Sequence, residues 1–128
     1  MHEARSPLYN EPMVSVIHSL AAHGDFEQFL QALAEGLPAA EHDRIRRAVE
    51  HARSIYGERR LGSGEDVWGH ALGMALIVAG LKLDADSRLA ALLFAIPALH
   101  EHGLTEIEAT FGSSVAHLVG GISRLNRM

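Results

Sequence analysis

Leu92-Leu93-Phe94-Ala95-Ile96-Pro97-Ala98-Leu99 is a run without one side chain able to ligate a hard metal or carry a proton. With Leu89, it sets Leu92, Leu93 and Ile96 on one stripe of a helix that starts from an Asp84 cap. Pro97 has no amide hydrogen and crowds the turn before it, so this helix should kink or end there.

Helical spacing continues on both sides. From Met13, the residues Val14, Ile17, His18 and Ala21 recur on one face up to Gly24. Asp25 is placed to cap a helix holding Phe26, Phe29, Leu30 and Leu33, with a stop near Gly36-Leu37-Pro38. Ile45, Ala48, Val49, Ala52, Ile55 and Tyr56 make the next stripe, closed by Gly57. On its outer face Asp43 should pair with Arg47 and Arg46 with Glu50, each worth roughly 0.3 kcal/mol, so the arginine run reads as a solvated face. After the Gly62-Ser63-Gly64 break, the segment from Asp66 to Ala79 is apolar nearly all round, the pattern of a central buried helix. His100-Glu101-His102-Gly103 reads as a turn, and Thr105 with Glu108 as a capping box. The last helix sets Val115, Leu118, Val119, Ile122 and Leu125 on one face. No strand-like alternation interrupts this series, so the fold class is all-α.

With 128 residues, 48% of them hydrophobic, the chain has material for one helical core, filled mainly by aliphatic side chains because only 5% are aromatic. A net charge of −5 argues against general nucleic-acid binding, which leaves a basic footprint. The absence of cysteine removes disulfides and thiolate metal sites and fits a cytoplasmic protein. No apolar run approaches the ~18 residues of a membrane span. Met1–Pro12 carries Glu3, Arg5 and Glu11 and lacks the apolar segment of a signal peptide.

Several short motifs occur in a fixed order between about Arg53 and Arg127: Gly64-Glu65-Asp66-Val67-Trp68-Gly69-His70, then Lys82-Leu83-Asp84, Ala90-Ala91-Leu92-Leu93 and Phe111-Gly112-Ser113-Ser114-Val115-Ala116-His117-Leu118-Val119. In this combination the chain resembles the N-terminal HD-type hydrolase domain of the RelA/SpoT family, enzymes that make and degrade the alarmone (p)ppGpp. The resemblance implies an HD-domain-like helical bundle, truncated at its C-terminal end. Residues 1–24 would form an arm and first helix, and residues 25–128 an incomplete, degenerate HD domain.

It also implies roles, position by position. His70 is the counterpart of the family's first metal ligand. Phe94 and Ala95 stand where hydrolase-active members carry the metal-binding His-Asp pair, and Ala98 and Leu99 stand where a Glu-Asp pair positions the attacking water. The family's arginine ahead of Gly-Glu aligns with Leu61, with Arg60 one residue early, and its later Asp ligand falls beyond Met128. These are vestigial positions, so no catalytic residue, metal or cofactor is expected here. The implied role is that of an inactive domain in a RelA-type GTP pyrophosphokinase. It would serve a synthetase domain not in this chain, and meet the ribosome only through that parent. No membrane and no direct nucleic-acid contact are expected.

Plainer readings stand beside these. His70 is expected as a core or half-buried histidine satisfied by a backbone carbonyl, and Phe94 as a packing residue worth roughly 2 kcal/mol of burial. His100, Glu101 and His102 fan out on an exposed turn. The glycine run lacks the lysine and strand context of a phosphate loop. Two other functions remain open: an active phosphohydrolase using His70 with His100 or His102, and a helical interaction module related by fold alone.

Overall fold

The structure, a computed structural model, describes residues 26–126, with side chains to Arg124. The readings of residues 1–24 as arm and first helix, of Asp25 as a cap and of Leu125 as an apolar-face residue lie outside what it describes. Among the described residues there are seven helices and no strand: α1 Phe26–Leu33, α2 Ala39–Tyr56, α3 Val67–Gly80, α4 Ala85–Leu93, α5 Ile96–Leu99, α6 Gly103–Phe111 and α7 Ser113–Asn126. The all-α expectation is met.

The centre of the bundle is α4, not α3. Every residue from Arg88 to Ile96 is buried, and α4 packs against α2, α3 and α7. Helix α3 buries Val67, Ala71, Leu72, Ala75 and Ala79 but leaves Ile77 53% exposed. The expectation of a central α3 therefore fails for a physical reason. A helix apolar on all sides has no preferred face, so its neighbours choose which side is covered.

Asp84 does cap α4, accepting from the Ser87 amide at 3.0 Å. The Ser87 hydroxyl and that amide together hold the Asp84 carboxyl below the usual carboxylate range. At the other end α4 stops at Leu93, four residues before Pro97, whose ring would meet the Leu93 carbonyl in a continuous helix. The chain restarts as α5 with Pro97 in its first turn, where an amide hydrogen is not needed.

Four local expectations need correction. Arg47 pairs with Asp43 at 3.0 Å as expected, but Arg46 reaches Glu27 on α1 at 2.8 Å rather than Glu50. Arg44 is not on a solvated face: it donates to Glu41, to Asp86 and to the Phe111 carbonyl, joining α2 to α4 and to the end of α6. The capping box at Thr105 is absent, because α6 begins two residues earlier at Gly103. A Cβ at Gly103 would sit 2.6 Å from Ile96 Cγ2, so only glycine lets α6 approach the α5 backbone this closely. Likewise Leu118 is 40% exposed, while Val115 and Val119 are buried and Ile122 packs on the core.

Arg88, 3% exposed, fixes how α1 meets α4. Its guanidinium has carbonyl partners only: Leu83 at 2.8 Å, Leu33 at 3.0 Å and Glu35 at 2.7 Å. The last two are orphan acceptors at the C-terminal end of α1, where the helix dipole also favours a cation. Arg88→Met keeps most of the apolar stem and removes all three bonds. It should cost about 3 kcal/mol, read as a lower urea midpoint with an unchanged m-value.

Candidate functional site

The α4–α5 break brings the vestigial positions to one place. Phe94 and Ala95 form the two-residue link between the helices and are 7% and 6% exposed. From the first turns of α3, His70 lays its ring against Phe94, with centroids 5.6 Å apart and planes tilted by 57°. Burial of such a tilted ring pair is favourable and excludes water from between the rings.

His70 is not held by a backbone carbonyl. Its Nδ1 lies 3.1 Å from Glu65 Oε1, and its side chain is 38% exposed, so of the expected core or half-buried positions His70 takes the more exposed one, at the rim. Glu65 of the Gly-Glu motif thus stands beside the histidine that follows it.

Nothing else at the break can ligate an ion. Ala98 is exposed on α5 and Leu99 is packed against the core. Leu61 also packs on the core, while Arg60 donates to the Gly64 carbonyl at 3.1 Å and spends its guanidinium on its own loop. His100, which follows α5, bonds Glu106 on α6 at 3.1 Å. Among the described residues no group of three His, Asp or Glu side chains lies close enough to hold a metal. A divalent ion wants several nitrogen or oxygen ligands with carboxylates to offset its charge. One imidazole nitrogen, a phenyl ring and a methyl group do not fit that requirement.

One residue that the sequence did not mark out shapes the site. Tyr56 is fully buried at the end of α2; its hydroxyl donates to the Leu92 carbonyl at 2.8 Å and accepts from the Ala95 amide at 3.2 Å. One phenol therefore bridges the two backbone groups that flank Phe94. Burial pushes the Tyr56 phenol far above the usual tyrosine value, against the lowering effect of the Ala95 amide. In the sequence Tyr56 reads only as the last member of an apolar stripe. His51, on the same helix, packs its ring 6.0 Å from Phe111, and its buried Nε2 has no hydrogen-bond partner among the described residues.

With this geometry in place, comparison with known proteins gives a consistent picture. Residues 48–128 match the family described as HD domain. The chain is 35% identical over 107 residues to the bifunctional (p)ppGpp synthase/hydrolase SpoT of Escherichia coli K12, covering 80% of this chain and 15% of that protein. It is 35% identical over 92 residues to a GTP pyrophosphokinase of Myxococcus xanthus, covering 70% and 12%. A probable GTP pyrophosphokinase of Mycobacterium leprae is 32% identical over 94 residues, covering 73% and 12%. The chain spans about 15% of the length of the first relatives it matches. No solved structure matches it.

Tyr56→Phe should cost about 2 kcal/mol, since it strands a buried carbonyl and a buried amide together. The sign of its pH effect also follows. A phenol whose folded value is raised keeps its proton in the native state after the unfolded state has lost it. The wild type should therefore lose stability as pH rises past about 10, the unfolded tyrosine value. Tyr56→Phe should flatten that alkaline slope in chemical denaturation; an equal slope in both proteins would contradict the assignment.

Proposed function

This chain belongs to the HD-domain family, with RelA/SpoT proteins among its relatives, and from that membership we propose that it is a non-hydrolysing HD domain with a structural or regulatory role. On this reading it abuts a synthetase domain outside these 128 residues, in a parent that transfers pyrophosphate from ATP to the 3′-hydroxyl of GDP or GTP. It biases that domain's active state, works in the cytoplasm, and reaches the ribosome only through the parent.

The names of the relatives divide between hydrolase and pyrophosphokinase, so the support for this choice comes from the site. One observation carries it: the Phe94 ring is packed against His70 where the resemblance puts a metal between a histidine and a His-Asp pair. Metal-assisted hydrolysis needs an ion to lower the pKa of a bound water and a carboxylate to aim it. Phe94 and Ala95 offer no ligand for the ion, and Ala98 and Leu99 no base for the water. What the chain's own residues do instead is hold the α4–α5 break rigid. Tyr56 ties its two ends and Phe94 seals the side facing α3.

Incubated with ppGpp and Mn²⁺, the purified chain should release no pyrophosphate above a protein-free control. Metal-dependent release that His70→Ala abolishes would overturn the reading. The double variant Phe94→His/Ala95→Asp should gain a melting-temperature rise with Mn²⁺ that the wild type lacks, by mass action of an ion on the folded state. A reading frame that continues past Met128 into a synthetase domain supports the regulatory half. One that continues without it replaces that half with a helical interaction module.

A further inference from the structure

Among the described residues five large hydrophobic side chains are exposed, and three of them sit together at the α3–α4 turn: Ile77 at 53%, Leu81 at 66% and Leu83 at 44%. A Cβ at Gly80 would meet nothing within 4 Å, so the surface beside Leu81 is open. The turn itself is fixed. Lys82 takes φ 63°, its amide donates to the Ala79 carbonyl at 2.9 Å, and the Leu83 amide donates to the Val78 carbonyl at 3.3 Å. These bonds form the left-handed cap that closes a helix at its C-terminal end. The backbone carrying Leu81, Lys82 and Leu83 is therefore already ordered, and a partner that docks there loses little entropy in ordering it.

We propose that this turn is the contact of a homodimer, in which a second copy of the chain docks on Ile77, Leu81 and Leu83. The charge pattern selects this occupant. A twofold contact is isologous, so the patch must complement itself. Lys82 and Asp84 are both exposed and flank Leu83 with opposite signs. A twofold axis passing beside Leu83 runs the second turn the other way. Leu83 then meets its own equivalent, Lys82 meets the partner's Asp84, and Asp84 meets the partner's Lys82. Asp84 Oδ1 already accepts from the Ser87 amide at 3.0 Å, and a carboxylate has room for further donors. The next carboxylate, Asp86, is engaged by Arg44 at 3.2 Å. On the other side the patch adds no charge, since Val67 to Leu81 contains no Asp, Glu, Lys or Arg.

The other two exposed leucines lack this pattern. Leu104 stands in sequence among Glu101, Glu106 and Glu108, so a second copy there would set acid against acid. Leu118 lies in a stretch from Phe111 to Ser123 with no charged residue, so no ion pair fixes a register there. With a net charge of −5, the approach of two copies is repulsive over the surface as a whole. A neutral patch with one charge of each sign beside its leucines relieves that repulsion. Few side chains take part, so the contact belongs to the weak class, with a Kd of about 0.1–1 mM.

Sedimentation equilibrium of the 128-residue chain tests this directly. The dimer fraction should rise from near zero at about 10 μM to a majority at about 2 mM. Lys82→Glu, which sets carboxylates against carboxylates across the axis, should weaken association by about tenfold. The chain has no cysteine, so Leu83→Cys supplies a single thiol at the axis, and Leu118→Cys a control on α7. Under oxidation Leu83→Cys should form a disulfide-linked dimer well before Leu118→Cys does, because the bond needs the two Cα atoms within about 7 Å. A chain still monomeric at about 2 mM would overturn the proposal. So would a dimer that Lys82→Glu leaves unchanged, or one that crosslinks as fast through Leu118→Cys as through Leu83→Cys.

Discussion

Everything in this bundle is arranged around one requirement, the burial of an unbroken apolar run from Leu89 to Ile96. A helix buried on every side must be surrounded, and α2, α3 and α7 are the elements that surround α4. Such a run brings a cost where its helix ends, because carbonyls and amides are released in a place water does not reach. Pro97 ends the helix, and the Tyr56 hydroxyl bonds the Leu92 carbonyl and the Ala95 amide that flank the break. At the other end Arg88 supplies donors to three carbonyls from α1 and the α3–α4 turn. The centre is apolar, and its few polar debts are settled by two side chains from within.

The same requirement bears on function. The break between α4 and α5 is where the resemblance puts a pair of metal ligands, and an ion there would need water, carboxylates and space. Phe94 occupies that position with a 7% exposed ring set against His70. The adjacent Glu65 carboxylate stands 3.1 Å from the His70 ring. On the proposed reading, packing stands where the resemblance puts coordination.

Much of this was legible in the residues. The helical series, the Asp84 cap and the effect of Pro97 all follow from local rules, and the structure shows each of them. What could not be read is anything decided by tertiary partners. An all-apolar α3 gives no sign of which side will be covered. Arg44 and Arg46 choose partners on other helices over the nearest carboxylates in sequence. Tyr56 looks like one more apolar residue until the backbone groups 36 and 39 positions away arrive at its hydroxyl. The start of α6 depends on a 2.6 Å clearance at Gly103, which no capping rule contains.

The central claim is that no divalent ion is gripped beside His70. The most direct measurement is a Mn²⁺ titration of the wild-type chain, followed through the imidazole signals of its nine histidines by NMR. His70 should broaden no more than the exposed His117 as metal is added. Selective loss of the His70 signal at one equivalent of Mn²⁺ would contradict it.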